Sequence, residues 1–268
     1  MKFRILTINT WKGDGAYQAR LALLKKQILD LAPDVILMQE VLRSIDAQAE
    51  YDTLQSISEV FEGESAFVPM RQNKRQVEGQ LVDCWSGMGC WSRFPIEAAA
   101  GIELPSNDAD GGRAGQMIRI QIHGQHFLFA NVHLSFLHDS DALKIAQLET
   151  MLQEMLKQTD LKAFFIAGDF NSVPNSKTIQ YLQNHSHFRA KDAFFSCNSA
   201  SANGITMPSA TNPELGTRID YVFSLATAEV PHLPIIQSAV ALNQLEEGLY
   251  PSDHFGVIAQ VELPDDNQ

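Results

Sequence analysis

Cysteine is scarce: the 268 residues contain 3, at Cys84, Cys90 and Cys197. An odd count at these spacings fits neither a zinc motif nor the disulfide framework of a small secreted domain, so reduced thiols are expected. Basic residues are also short, 20 Lys and Arg against 32 Asp and Glu, for a formal net charge of -12. Such a surface repels polyanions, which argues against tight non-specific duplex binding unless a local cationic groove overrides the average. No apolar run approaches the roughly 20 residues of a membrane span, so stable membrane insertion is not expected. The opening MKFRILTINT lacks the long apolar core and cleavage site of a secretory leader and reads as an immediate strand, which predicts a cytoplasmic protein. Repeats, low-complexity tracts and linkers are missing, so residues 1–264 read as one domain with 265–268 as a frayed tail. Nothing points to an obligate protein partner.

What is present begins with a β-α-β pattern. Phe3–Ile8 alternates as a strand ending at Asn9. Ala16–Leu31 then sets Leu21, Leu24, Ile28 and Leu31 on one helical face, and Pro33 precedes the apolar strand VILMQE, which ends at Glu40. MIRIQIHGQHFLFANVHL reads as two strands turning at His123-Gly124-Gln125, and GMGCWSRFPIEAAAGIEL as further strands turning at Arg93-Phe94-Pro95. Asp139–Lys157 is a second long helix with Ser140 as its cap and Ile145, Leu148, Leu152, Met155 and Leu156 inward. A strand at Ala163–Ala167, a helix near Ser176–Asn184, and strands at Ile219–Leu225, Ala239–Leu242 and Phe255–Leu263 complete the pattern. The polar stretches Leu104–Gln116, which carries Arg113, and Cys197–Gly216 are long for plain connections and are candidate binding loops.

Polar residues stand where strands end. Asn9, Glu40, His133, the pair Asp169 and Asn171, Asp220, and Asp253-His254 each sit at or beside the end of a β run, which suggests that the strand ends converge on one edge of the fold. Phosphoester hydrolysis uses such a set, because its transition state gathers negative charge that calls for a Lewis acid and aimed hydrogen-bond donors. A hard cation such as Mg²⁺, with Mn²⁺ as the alternative, takes oxygen ligands; Glu40 is the natural one, with Asn9 beside it. An aspartate suits the positioning and deprotonation of water, and imidazoles held cationic by carboxylates would stabilise the phosphoryl oxygens.

TINTW, PDVILMQEV, NVHL, GDFNSVP, RIDYVF and SDHFGV, in this order from about Phe3 to about Val261, resemble the endonuclease/exonuclease/phosphatase superfamily. The resemblance implies an α/β (α+β) four-layer sandwich, with two packed, mostly antiparallel β-sheets flanked by helices. It implies Mg²⁺ on Glu40, assisted by Asn9 and Asp253, and a water oriented or deprotonated by Asp169. Asn171 would grip a phosphate oxygen, and His254, oriented by Asp220, would contact the phosphate. His133 takes the place where relatives use a histidine or tyrosine to stabilise the transition state. The sequence departs from some relatives in one respect: no carboxylate in a convincing earlier motif partners His133, since Glu78 and Asp83 align poorly.

Bland readings compete for several residues. Asp220 could pair with Arg218, His133 could be a satisfied core histidine, and Asn9 could be a strand-end cap. Lys12–Ala16 reads as a helix-entry turn, Trp11 as a core-rim residue, and His185 and His187 as solvated. Arg71, Lys74 and Arg75 form the one basic cluster, a solvated face in preference to a phosphate clamp. Arg113 is a comparable candidate for an anionic substrate. The sequence leaves the substrate open among nucleic acid, a phospholipid head group and a small soluble phosphoester. The acidic surface favours the last, and Asp83–Trp91 reads as core strand in preference to a membrane-binding insertion. A dinuclear calcineurin-like phosphatase is excluded for want of its downstream GNH and paired histidines. A catalytically silent scaffold remains the alternative to an enzyme.

Overall fold

Phe3, Ile5, Thr7 and Asn9 alternate with Leu6 and Ile8, so the first strand has two working faces: one packs on a facing sheet, the other on helices. The structure is a computed structural model that describes residues 1–45, 51–199 and 201–264. The tail expected at 265–268 lies outside them. The chain runs β1 (Lys2–Asn9), α1 (Tyr17–Leu31), β2 (Val35–Ser44), α2 (Thr53–Ser58), the hairpin β3 (Glu64–Val77) and β4 (Gln80–Ser92), and β5 (Ile96–Leu104). It continues through β6 (Arg113–Ile122), β7 (Gln125–His133), α3 (Asp141–Leu156), β8 (Ala163–Asp169), α4 (Lys177–Gln183), β9 (Arg189–Asp192) and α5 (Ala193–Cys197). A two-stranded ribbon, β10 (Met207–Pro208) and β11 (Gly216–Thr217), precedes β12 (Asp220–Ala226), β13 (Ile235–Ala241) and β14 (Gly256–Glu262).

Two six-stranded sheets result, in the orders β13-β14-β1-β2-β4-β3 and β5-β6-β7-β8-β12-β9. Each contains one parallel pairing, β1 with β2 and β7 with β8, joined by the helical crossovers α1 and α3; the other neighbours run antiparallel. Phe3, Ile5, Val35, Leu37, Phe127, Phe129 and Phe165 fill the space between the sheets. Leu21, Leu24 and Ile28 of α1 cover the outer face of one sheet, and Leu148, Met151, Leu152 and Met155 of α3 cover the other. Each fully buried Phe or Leu contributes about 1.5–3 kcal/mol. This is the four-layer sandwich that the motifs implied.

Several local expectations change. β3 lies where no strand was expected, because its polar sequence runs along a sheet edge. β13 starts at Ile235, ahead of the expected Ala239, and Arg113–Gln116 belong to β6, which shortens the first candidate loop. Cys197–Gly216 contains the end of α5 and most of the ribbon. Ser140 precedes α3, but its hydroxyl donates to the Leu137 carbonyl and accepts nothing from the helix. Among the described residues, no helix is long and apolar enough to cross a membrane.

The strand ends need one special residue. Gly168 sits at φ +140, and a Cβ there would lie 2.0 Å from the Val132 carbonyl oxygen. Gly168→Ala is therefore expected to cost about 2–4 kcal/mol through backbone strain and disturbed β7–β8 pairing. Urea unfolding measures this, and a loss below about 0.5 kcal/mol, the size of an ordinary surface substitution, would show that the close approach can relax.

Candidate active site

β1, β7 and β8 end in Asn9, His133 and Asp169, whereas Glu40, expected to end its strand, lies inside β2, which runs on to Ser44. Register does the rest: Asp169 lies opposite His133 on β7 and opposite Asp220 on β12. His254 comes in just before β14, the antiparallel neighbour of β1. Asp169 is the hub. Its Oδ2 accepts from Asn9 Nδ2 at 3.1 Å and lies 3.5 Å from His133 Nε2 and 3.9 Å from His254 Nε2. Its Oδ1 accepts the Asn171 N–H at 2.8 Å. His254 Nδ1 bonds Asp220 Oδ2 at 2.9 Å, and His133 Nε2 lies 4.0 Å from Glu40 Oε1. Asp220 thus pairs with His254, while Arg218 pairs with Asp192 at 2.7 Å, so the bland alternative for Asp220 does not hold.

Backbone in the left-handed region aims several of these groups. Glu40 has φ +55 within the irregularity between Met38 and Val41, a bulge that turns its carboxylate out of the β2 alternation. Asn171 has φ +46, and Trp11 and Lys12 lie in the same region. Such conformations cost about 1–3 kcal/mol each and gather at functional sites. Asn171 Nδ2 donates to the Leu134 carbonyl, and Lys144 Nζ donates to the Asn171 carbonyl, fixing the turn.

The charges are unequal in kind. Burial opposes protonation of His254, but Asp220, with help from Asp169 and Asp253, outweighs it and raises the ring to about 10. Asp169 is pushed up by burial and by Asp220, opposed by His254, Asn171 and Asn9. His133 is held well below the usual imidazole value by burial and then by Arg113, Lys12, His254 and Arg71. Only His254 therefore meets the expectation of a cationic imidazole; His133 is neutral. Its Nδ1 is buried without a hydrogen-bond partner among the described residues, while Glu78 accepts from the Gln18 N–H at the start of α1 and Asp83 pairs with Lys74. The missing carboxylate partner is thus a feature of the fold.

Glu40, Asp253 and Asn9 offer oxygen atoms that could hold a hard cation. Asp253 is raised by burial and by the Glu40 carboxylate, opposed by His254, so two carboxylates repel one another where a divalent ion would relieve them. Lys12 Nζ lies 2.6 Å from Glu40 Oε1, which shows the same demand for positive charge. The Asn9 oxygen accepts the Trp11 N–H at 3.0 Å and keeps a lone pair. Ligand atoms of Asp169, Asp220 and His254 also lie within 4.8 Å of one another, with the protonated His254 ring offsetting part of the carboxylate charge. Arg113 is buried, pairs with Asp110 at 2.9 Å, and lines a cavity that Glu40 and His133 also line.

Some contributors escape sequence reading. Lys12, read as part of a turn, reaches Glu40. Arg20 donates to the carbonyls of Thr10, Trp11, Lys12, Asp14 and Pro251, binding the first loop to the segment before Asp253. Beneath the site, Asn131 donates to the Met38 and Gly89 carbonyls and to Gln116, and accepts from Gln39, so carboxamides tie the two sheets together. Gln39 and Asn131 stand inside the quoted motifs, which was the available signal. His185, expected to be solvated, has a 4% exposed side chain that bonds Glu149.

A family model described as the endonuclease/exonuclease/phosphatase family matches residues 6–254. The chain belongs to this family. A curated relative, tyrosyl-DNA phosphodiesterase 2 of Rattus norvegicus, is 22% identical over 247 residues, covering 87% of this chain and 59% of the relative. The chain thus spans somewhat more than half the length of that protein. Among solved structures, the family member from Bacteroides vulgatus superposes with TM-score 0.76 at 17% identity, over 98% of this chain and 100% of that one. The human nocturnin catalytic domain with bound sulfate anion gives 0.71 at 18% identity, over 97% and 94%. These likenesses support the endonuclease/exonuclease/phosphatase fold.

Proposed function

We propose that this family member is a divalent-metal-dependent hydrolase of phosphoester bonds. The observation that carries the reading is the grouping of Asn9, His133, Asn171 and His254 around the buried Asp169 carboxylate. Glu40, with Asp253 and Asn9, would hold the metal, Mg²⁺ in the first instance, which when bound would supply Lewis-acid stabilisation of phosphoryl charge. Asp169, pushed up from the usual carboxylate range, orients a water and takes its proton. The protonated His254, fixed by Asp220, donates to a phosphoryl oxygen as negative charge grows there. Asn171 offers its carboxamide to another oxygen. Neutral His133 contributes hydrogen bonding without net charge.

A small soluble phosphoester is the substrate class that best suits the acidic surface. The rat relative's name favours a second reading, a phosphodiester linked to DNA. The three unpaired thiols support the cytoplasm as the compartment.

The test is turnover of bis-p-nitrophenyl phosphate against Mg²⁺ concentration, with EDTA controls. Wild type is expected to be active only with metal, and Glu40→Gln to raise the half-saturating concentration by about tenfold, since a metal-held carboxylate is lost. An unchanged titration would remove Glu40 from the metal. A protein inert on nucleic acid, lipid and inositol phosphate panels would favour the scaffold.

A further inference from the structure

Beside Glu40 and His133, which both line it, the site opens into a cavity of about 290 Å³. Period-2 geometry splits the basic cluster there. Arg71 and Arg75 of β3 line the cavity, while Lys74 points elsewhere to a surface pair with Asp83. Lys12 and Arg113 complete the wall, so four cations of an acidic chain meet in one small space. Three are matched by carboxylates: Lys12 by Glu40, Arg75 by Asp14 and Arg113 by Asp110. Arg71 is not; among the described residues its bonded partner is the Asp110 main-chain carbonyl.

A second observation points to a ligand. Ser86 stands directly opposite Arg71 in the β3–β4 ladder, lines the same cavity, is 2% exposed, and its hydroxyl has no hydrogen-bond partner among the described residues. The Arg75 Nε–H is likewise buried and unbonded. Unused buried donors are costly unless something arrives to accept from them. A guanidinium, a second guanidinium N–H and a hydroxyl converging on one space match a tetrahedral oxyanion with several acceptor oxygens.

We infer that this cavity is a second phosphate subsite, and that the substrate is a small phosphoester carrying another phosphate beside the scissile one. The inference rests on the phosphoesterase reading for the role of the neighbouring site, but not for its own detection. The scissile phosphate lies at Asp169 and His254, His133 borders both subsites, and the second phosphate sits between Arg71, Arg75 and Ser86. Dimensions favour a small molecule: the cavity is about 290 Å³ and is lined from β2, β3, β4, β6, β7 and the Lys12 loop.

The test is calorimetric, in EDTA, with adenosine 3′,5′-bisphosphate and adenosine 5′-monophosphate as probes, run beside the Mg²⁺-dependent turnover assay. Wild type is expected to bind the bisphosphate at least about tenfold more tightly, the effect of one charge-assisted contact. Arg71→Gln should erase that preference. Ser86→Val, which keeps the Arg71 anchor on the Asp110 carbonyl, should reduce it. Lys26→Gln, the same charge change at a fully exposed lysine of α1, should keep it. Equal binding of both probes to wild type overturns the subsite. So does an intact preference in both cavity variants, or an equal loss in Lys26→Gln. Tighter binding of a single-stranded DNA hexamer than of the bisphosphate overturns the small-molecule assignment. An inert protein that still discriminates keeps the subsite and loses the phosphoesterase reading. An active protein that does not discriminate does the reverse.

Discussion

Asp169→Asn is expected to lower turnover of bis-p-nitrophenyl phosphate by about 10⁴-fold, about 5 kcal/mol of transition-state stabilisation. The carboxylate is 1% exposed and is the one group that Asn9, the Asn171 N–H, His133 and His254 all face. An amide has the same shape but no basicity, and its NH₂ would face either the Asn171 N–H or the Asn9 donor with the two imidazoles. Stability separates lost chemistry from lost structure. Burial and Asp220 hold the folded-state pKa above the ordinary carboxylate value, so the native state binds this proton more tightly than the unfolded chain. Ionised Asp169 therefore costs stability increasingly as pH rises from the usual carboxylate range through its folded value. A neutral amide removes that cost, so the thermal midpoint near neutral pH should hold or rise while turnover collapses. A folded variant losing less than tenfold would take Asp169 out of the chemistry.

The legible part of this protein was the part where the chain changes character abruptly. Apolar runs ending in Asn9, Glu40, His133 and Asp169 announced a common edge, because polar side chains at strand ends need either solvent or each other. The sandwich followed from the motifs in which those ends are embedded. What stayed hidden depends on contacts between segments far apart in sequence. β3 has no continuous apolar face, so its polar residues read as surface, although Arg71 and Arg75 look into a cavity. Lys12 looked like turn material because its partner Glu40 belongs to another strand. Arg20 carries a charge inside an otherwise amphipathic helix, and the five carbonyls that hold it are set by tertiary packing. The protonation of the two histidines was equally invisible. Both stand at strand ends, yet one has a carboxylate on its Nδ1 and the other has nothing there.

That difference makes Asp220→Asn the second large effect. Loss of the carboxylate removes the strongest influence that raises His254, while the burial that lowers it stays. In wild type the ring remains protonated up to about 10, so the alkaline limb of kcat/KM set by His254 lies near that pH. In the variant, where Asp169 and Asp253 still raise the ring, the limb should move down toward the ordinary imidazole value of about 6.5. Turnover near pH 8 should fall by about 10²–10³-fold, as when one preorganised donor is lost, and recover partly on acidification. The stability sign is fixed by the same shift. A raised imidazole pKa gives a contribution fully present below the unfolded value and lost as pH climbs through the folded one. Wild type and variant should therefore differ most in urea midpoint at mildly acidic pH and converge toward pH 10. Parallel pH profiles for the two proteins would mean that the charge on His254 plays no part in the rate, leaving Asp220 a packing role.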